Sequence, residues 1–382
     1  MNRKMIPNQR HLFDIPDDIA YFNCGYMSPL LNRVAEIGQQ ATLRKAHPWE
    51  IAPADFFDVT EVARARFGSL INADASDIAI VPAASYGIAQ AANNVTVRSG
   101  QNLIMLAEQF PSNVYSWQGL ATENNGKMVT VERSDNHSWT EGVLDAINDD
   151  TALVALPNCH WTDGSLVDLV AVGRRCREVG AKLVLDLTQS VGALPFDVKE
   201  VQPDFMVAAG YKWLLSPYSI GFLYVSPENQ NGKPIEHSWL TRLGSENFGG
   251  LVEYEEHFQP GARRYDVGET PNFALMPMAV AALDQLLNWG VDNIQTTLSA
   301  FTDTVTARTA ELGLRAGSRS LRAGHFLGLR FPGGMPDDLL PQLAAENVWV
   351  SVRGDSMRVT PHLFNNDSDI DKLIDVLTKI LK

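Results

Sequence analysis

The chain has 382 residues, enough for one large domain or for a large and a small domain. Hydrophobic residues make up 45% of it and charged residues 20%, as in an ordinary soluble globular protein. Its 31 basic and 45 acidic side chains leave a net charge of −14, which disfavours nucleic acid and anionic membranes as partners.

The N-terminal segment MNRKMIPNQRHLFDIPDD contains no apolar stretch of the kind that a signal peptide requires. Elsewhere, no uninterrupted apolar run is long enough to cross a bilayer. The three cysteines, Cys24, Cys159 and Cys176, lie far apart and show neither metal-binding spacing nor a disulfide framework. The sequence therefore predicts a cytoplasmic protein without a metal centre.

Residues 51–274 alternate short β-branched runs with segments of helical periodicity. The strand-like runs are DIAIVP, NLIMLAE, ALVALPN, KLVLDL and DFMVAA. Apolar runs of this kind, separated by helices, are typical of parallel strands that are covered on both faces. We predict a large α/β domain with a mainly parallel sheet.

The pattern changes from residue 275 onward. A helix over MPMAVAALDQLLNWG, which ends at Gly290, is followed by a second helix, the short strands HFLGLRF, VWVSV and MRVTP, and an amphipathic terminal helix. Residues 1–50 show no strand–helix alternation, and we expect them to pack against this unit. Residues 1–50 and 275–382 are therefore predicted to form a smaller α+β domain.

Ligands of open parallel sheets bind at the carboxyl ends of the strands, so we considered the residues that follow each strand. In MVAAGYKWLLSP, Lys212 lies between two apolar groups. It either extends its amine to water or is partly buried, readily deprotonated and able to form a Schiff base. Asp186 follows KLVLD, with Gln189 three residues later. Its carboxylate either caps a helix or faces a protonated ring nitrogen.

Two other strand ends add possible ligand contacts. After DIAIVP, Ser85, Tyr86 and Gly87 begin a predicted helix whose N-terminus is either an ordinary turn or an anion site. After NLIMLAE, Phe110 is either a core residue or a cover for a flat ring. An anion site, a ring cover, an acid and a lysine together match one molecule, pyridoxal 5'-phosphate.

Residues 183–227, LVLDLTQSVGALPFDVKEVQPDFMVAAGYKWLLSPYSIGFLYVSP, resemble the core of the class V aminotransferase group. This group is a branch of the fold type I pyridoxal phosphate enzymes that also contains cysteine desulfurases and kynureninases. The similarity extends from YFNCGYMSPL to MRVTPHLFNNDSDID. It implies a sheet of the seven-stranded type in the large domain, and a homodimer with active sites at the subunit interface.

The resemblance also implies roles for residues around the cofactor ring. Lys212 would be the Schiff-base lysine and the proton carrier at the substrate Cα. Asp186 would pair with the ring nitrogen, and Gln189 would lie close to the phenolic oxygen. Phe110 would stack on the ring, at a position where desulfurases usually have histidine.

A second group of residues is implied to hold the cofactor phosphate. Ser85 and Tyr86 would bind it directly. Tyr211 stands where many relatives have histidine, and it is similar to the tyrosine of kynureninases whose hydroxyl reaches the phosphate. The partner subunit would contribute Thr270, although VGETPNF departs from the usual Gly-Thr-Pro by the inserted Glu269.

The remaining implied residues face the substrate. In PNCHWTDG, His160 and Trp161 correspond to side chains near the phenolic oxygen, although His160 is equally well explained as a hydrogen-bonded structural residue. Arg358 matches the arginine that relatives use to bind the substrate α-carboxylate. Asn23 and Gly25, in the N-terminal loop YFNCGYMSPL, would line the substrate pocket.

Several reactions fit this cofactor. Transamination of a small amino acid or amine is the first hypothesis, because it is the commonest activity of the group. A kynureninase-like hydrolase or a C–S lyase, which cleaves a side-chain bond, is the alternative. The segment VWVSVRGDSMRV contains no cysteine, which disfavours cysteine desulfuration. A non-catalytic binding protein would not need Arg358, and no glycine-rich dinucleotide fingerprint is present. The substrate side chain is not predicted.

Overall fold

The computed structural model describes residues 4–133 and 138–382. Its strands are β1 (Ala20–Tyr21), β2 (Ile78–Val81), β3 (Asn102–Leu106), β4 (Lys127–Val131), β5 (Thr151–Leu156), β6 (Lys182–Asp186), β7 (Phe205–Ala209), β8 (Gly221–Val225), β9 (Arg315–Ala316), β10 (Leu327–Arg330), β11 (Val348–Trp349), β12 (Ser351–Arg353) and β13 (Ser356–Val359). Its α-helices are α1 (Asn32–Arg44), α2 (Asp58–Ile71), α3 (Ala84–Ala92), α4 (Tyr115–Asn124), α5 (Trp139–Ala146), α6 (Leu169–Val179), α7 (Val198–Val201), α8 (Leu275–Trp289), α9 (Val291–Ala310), α10 (Leu339–Ala345) and α11 (Asp367–Ile380). Among the described residues, no helix combines the length and apolarity needed to cross a bilayer.

The large sheet has seven strands in the order β2-β8-β7-β6-β5-β3-β4. Neighbouring strands from β7 to β4 are parallel. Strand β8 is antiparallel to both of its neighbours, because a short irregular loop, and no crossover helix, joins it to β7. The predicted α/β fold with a mainly parallel seven-stranded sheet is therefore confirmed.

Both faces of this sheet are buried, because successive residues of a strand point to opposite sides. In β5, Leu153 and Ala155 belong to one apolar cluster, whereas Val154 and Leu156 belong to another. Helices cover the two faces, so neither set of side chains contacts water. This double burial explains why the strands appear in the sequence as uninterrupted apolar runs.

A second sheet, in the order β12-β13-β10-β9, is antiparallel throughout. With α9, α10 and α11 it encloses a separate apolar cluster that includes Leu327, Val359 and Leu373. The N-terminal segment joins this cluster through Ala20 and Phe22, and β1 pairs in parallel with β11. The N-terminal residues thus contact the C-terminal part of the chain.

Helix α8 packs against both α1 and α2. Its residues Met276 and Leu283 share an apolar cluster with Phe67 of α2 and with side chains of the large sheet. The helix that begins the predicted small domain therefore also contributes to the core of the large one. The proposed division into residues 51–274 and residues 1–50 with 275–382 stays a prediction.

Candidate active site

A cavity lies at the carboxyl edge of the large sheet, where β2, β3, β5, β6 and β7 end. This edge is where ligands of parallel sheets bind. Most of its lining residues follow directly after these strands. They are Pro82, Ala83, Ala84, Ser85, Gln109, Phe110, Ser112, Asn113, Pro157, Cys159, Trp161, Asp186, Thr188, Gln189, Ala209, Tyr211, Lys212, Tyr218 and Ser219.

Lys212 lies in the tight turn that follows β7, and only 6% of it is exposed. The turn is fixed because the next three residues, Trp213, Leu214 and Leu215, are buried in the core. Burial lowers the pKa of the Lys212 amine from its usual value to about 8, although the charge of Asp186 opposes this shift. The lysine is therefore buried and readily deprotonated, which excludes the simpler reading of an amine extended to water.

Asp186 is the last residue of β6 and is buried. Its Oδ1 accepts a hydrogen bond of 3.0 Å from the backbone N–H of Thr188. A turn, and not a helix, follows Asp186, so this residue is not a helix N-cap. Burial raises the pKa of this carboxyl group, and the hydrogen bonds from Thr188 and the charge of Lys212 counteract the rise. The carboxylate therefore faces the cavity with few partners of its own.

Gln189 connects the cavity wall to the N-terminal loop. Its Nε2 donates to the carbonyl oxygen of Gly25 at 2.9 Å, and its Oε1 accepts from Trp213 Nε1 at 3.2 Å. The backbone N–H of Gly25 in turn donates to Thr360 Oγ1 at 2.9 Å. Gly25 thus holds the amide of Gln189 in place and does not itself line the cavity.

The N-terminus of α3 points into the cavity without a side-chain cap. Its N-cap residue is Ala83, which has no oxygen to accept hydrogen bonds from the first turn. Ala83, Ala84 and Ser85 all line the cavity, whereas Tyr86 does not. Gly87 lets the helix lie directly on the sheet, because a Cβ there would be 2.7 Å from Val207 Cγ2. The free N–H groups form a suitable site for an anion.

Aromatic rings surround the amine of Lys212. Its Nζ lies 5.4 Å from the ring centre of Phe110 and 5.5 Å from that of Tyr211. Trp161 packs edge-on against Phe110, with ring centres 5.3 Å apart. The ring of Tyr218 packs against the ring of Tyr211, with ring centres 4.6 Å apart. A flat ligand in the cavity would therefore meet an apolar wall on the side of Phe110.

His160 is fully buried behind the cavity wall and does not line the cavity. Its Nδ1 lies 2.8 Å from Thr162 Oγ1 and its Nε2 lies 3.1 Å from the carbonyl oxygen of Ala107. The ring also stacks on Trp139 at 5.2 Å. Burial lowers its pKa to about 4, so the ring is neutral at pH 7. The hydrogen bonds match those of a structural histidine.

Arg358 lies on β13 and is buried. Its Nε and Nη2 donate to Ser351 Oγ at 2.9 and 2.7 Å, and its Nη1 donates to the carbonyl oxygen of Trp161 at 3.0 Å. Ser351 donates onward to Asn23 Oδ1 at 2.8 Å. Asn23 thus supports Arg358, and neither of these two residues lines the cavity. Among the described residues, no carboxylate is paired with this arginine, whose pKa is lowered by burial and by Arg353.

The sequence of this chain is similar to those of known enzymes. The family model for class V aminotransferases matches residues 49–365. The chain belongs to the class V aminotransferase family. An uncharacterized aminotransferase of Bacillus subtilis, YcbU, is 26% identical over 358 residues, which cover 90% of this chain and 89% of the relative.

Two solved structures show the same fold as this class V chain. One is a cysteine desulfurase from Thermococcus onnurineus, with 18% identity, 99% of each chain covered and a TM-score of 0.86. The other is a variant of C-DES with glycine covalently linked to its PLP cofactor, with 17% identity, a TM-score of 0.85, and coverage of 97% of this chain and 98% of that one. The fold is therefore that of fold type I enzymes.

The cofactor of this class V enzyme is pyridoxal 5'-phosphate, and the observed residues fit it. The buried Lys212 supplies an amine for the aldehyde, and the buried Asp186 supplies a carboxylate for a protonated ring nitrogen. The uncapped start of α3 supplies N–H groups for the phosphate. Among the predicted cofactor residues, Tyr86, His160 and Thr270 lie outside the cavity lining.

Thr270 is buried, and its hydroxyl donates to the carbonyl oxygen of Val267. Its neighbours Glu269 and Pro271 line a different surface depression, together with Trp239 and Phe273. A contact between Thr270 and the cofactor phosphate of a second subunit stays a prediction.

The sequence did not single out several residues of the class V site. Tyr218 and Ser219 line the cavity from the loop between β7 and β8, shortly after the Lys212 turn. Thr188 lies between Asp186 and Gln189 and lines the cavity as well. Their position after strands that end at this edge was the available signal. Cys159 also lines the cavity, and burial raises the pKa of its thiol well above the usual value.

Proposed function

We propose that this class V enzyme is an aminotransferase that acts on a small amino acid or amine. The observation that supports this most strongly is a set of three buried charged groups: Lys212 and Asp186 at the carboxyl edge of the large sheet, and Arg358 on β13, whose charge contributes to the lowered pKa of Lys212. Arg358 has no acidic partner among the described residues, so it is available to an anion that comes from outside the chain.

When bound, pyridoxal phosphate supplies a ring that accepts the electron pair left at the substrate Cα as a bond there breaks. Asp186 would keep a proton on the ring nitrogen, because a buried carboxylate strongly favours a positive partner. Lys212 would hold the cofactor and then carry a proton from the substrate Cα. Its pKa of about 8 suits a base that operates near neutral pH.

Arg358 would bind the substrate α-carboxylate. A guanidinium group has five N–H donors, and three hydrogen bonds to Ser351 and Trp161 leave two for a ligand. The existing bonds hold the group in one orientation, which lowers the entropic cost of binding. Two parallel N–H groups are well suited to a carboxylate.

The test is the visible absorption spectrum of the holoenzyme during addition of a panel of amino acids. We expect a lasting change to the amine form of the cofactor, which a 2-oxo acid then reverses. Arg358→Gln should raise the KM for amino acids by roughly 100-fold, the order expected for a lost charged hydrogen bond. Arg315→Gln, an exposed arginine on β9, is the charge-matched control.

A second candidate function is cleavage of a side-chain bond, by a kynureninase-like hydrolase or a C–S lyase. The two rings that flank the Lys212 amine, Phe110 and Tyr211, favour it, since this combination is similar to kynureninases. In that case the starting spectrum would return without a 2-oxo acid while alanine or pyruvate accumulates. That result would rule out transamination as the main activity.

A further inference from the structure

The hairpin of β12 and β13 carries a second arginine, Arg353, on the same face as Arg358. Arg358 is the cross-strand partner of Ser351, and Arg353 is the cross-strand partner of Ser356. Cross-strand partners share a face, and so do residues two apart along a strand. The guanidinium carbons of Arg353 and Arg358 lie 5.7 and 5.9 Å from the ring centre of Trp161. Neither arginine lines the cavity itself, but both lie next to Trp161, which does.

Arg353 is half-buried and has no acidic partner in the part of the chain that the structure describes. Its described hydrogen bond goes to the carbonyl oxygen of the preceding residue, at 2.7 Å. The acidic side chains near the hairpin are paired with other arginines: Glu108 with Arg133 at 3.7 Å, and Asp355 with Arg330 at 3.1 Å. A half-buried cation without a counter-ion is available to pair with an external anion.

The charge of Arg353 also affects the pKa values of Lys212 and Arg358. It contributes, after burial and Arg358, to the lowered pKa of Lys212, and it contributes to the lowered pKa of Arg358. A substrate that brings only one carboxylate would neutralise one of the two arginines. A substrate with two acidic groups would neutralise both.

We propose that Arg353 binds a second acidic group of the substrate, so that this enzyme acts on dicarboxylic amino acids and 2-oxo dicarboxylic acids. Arg358 would take the α-carboxylate and Arg353 the distal one, with Trp161 between them. This inference rests on the proposed transamination and specifies its substrate class. Arg353 acts here as a specificity residue.

The experiment compares substrates that differ only by a distal carboxylate or methyl group. Glutamate is compared with 2-aminopentanoate, and aspartate with 2-aminobutyrate, in the wild-type holoenzyme and in Arg353→Gln, Arg353→Lys and Arg315→Gln. We expect the wild type to prefer the dicarboxylates. Arg353→Gln should lower kcat/KM for them by at least about tenfold, mainly through KM, and change the values for the methyl analogues by less than about twofold. Arg353→Lys should restore part of the loss, and Arg315→Gln should behave like the wild type.

Binding of the unreactive glutarate and pentanoate to the same holoenzymes, measured by calorimetry, separates this inference from the proposed reaction. If no amino acid is transaminated but glutarate binds more tightly than pentanoate only when Arg353 is present, the reaction is wrong and the second anion contact stands. Equal losses for dicarboxylates and methyl analogues in Arg353→Gln would overturn the contact. Glutarate binding of the same affinity in the wild type and in Arg353→Gln would also overturn the contact. The same holds if the holoenzyme neither binds glutarate nor transaminates any amino acid.

Discussion

Lys212 shows how neighbouring residues determine the chemistry of one side chain. The apolar residues on both sides of it form a strand and an anchored turn, so the amine is largely withdrawn from water. Desolvation by burial outweighs the attraction of Asp186, and the charges of Arg358 and Arg353 lower the pKa of the amine further. The chain thus keeps a reactive amine at a cost in folding free energy.

That cost predicts a pH-dependent stability of the apo-protein. The folded pKa of Lys212, about 8, lies below its unfolded value of 10.5, so the unfolded state binds more protons between these pH values. The contribution of Lys212 to the free energy of unfolding should therefore become more favourable as pH increases from about 8 to 10.5. At pH 7, Lys212→Met should be more stable than the wild type by about 3 kcal/mol.

The measurement is urea unfolding of both apo-proteins at several pH values. Groups other than Lys212 titrate in both proteins, so the difference between them isolates the lysine. The advantage of Lys212→Met should shrink toward high pH. A difference that stays constant from pH 7 to 10 would contradict a depressed lysine pKa.

Helix α3 shows how an element trades stability for binding. A serine or aspartate at its N-cap would stabilise the helix, but the chain has Ala83 there. The uncapped N–H groups remain free for a ligand because the close packing of α3 at Gly87 directs the start of the helix to the strand ends. Helix α3 is thus less stable than a capped helix would be, and its uncapped N-terminus is where we expect the cofactor phosphate to bind.

We predict opposite effects of Ala83→Asp on folding and on cofactor binding. The new carboxylate should cap α3 and leave the apo-protein equally stable or more stable, by about 1 kcal/mol. It should also repel the cofactor phosphate and raise the Kd for pyridoxal phosphate at least about tenfold. Ala83→Ser provides a neutral cap as the control. Unchanged cofactor affinity in Ala83→Asp would place the phosphate elsewhere.

At the scale of the whole molecule, the site joins parts that are far apart in sequence. Arg358 is held through Ser351 by Asn23 of the N-terminal loop and by the carbonyl oxygen of Trp161 in the loop that follows β5. Glu269 and Pro271, the sequence neighbours of Thr270, line a depression together with the aromatic residues Phe56, Trp239 and Phe273, of which Trp239 is exposed. This exposed apolar surface is consistent with a subunit interface.

We predict a homodimer in which Thr270 of one subunit contributes to cofactor binding in the other. Sedimentation should give a mass of twice that of the chain. Thr270→Val should leave the dimer intact and weaken pyridoxal phosphate binding about tenfold, as for one lost charged hydrogen bond. Thr304→Val, at an exposed position on α9, is the control. A monomer with full cofactor affinity would contradict this arrangement.

Residues that follow strands could be placed from the sequence alone. Lys212, Asp186, Ser85 and Phe110 each come after an apolar run, and parallel strands bring such positions to one edge. The cofactor followed from their combined chemistry. His160 also follows a strand, but its ring turns away from the cavity because Thr162 and Ala107 bind both of its nitrogens. Side-chain direction at a strand end depends on such partners, which the local sequence does not identify.

The sequence by itself thus determined the fold class, the cofactor and the residues at the sheet edge, because strand periodicity and turn chemistry are local properties. Only the tertiary structure decided which distant groups meet there. The support of Arg358 by Asn23, the hold of Gly25 on Gln189 and the position of Arg353 beside Trp161 all join segments more than a hundred residues apart. Such contacts arise from the packing of the two sheets and the N-terminal loop, and packing depends on the whole chain.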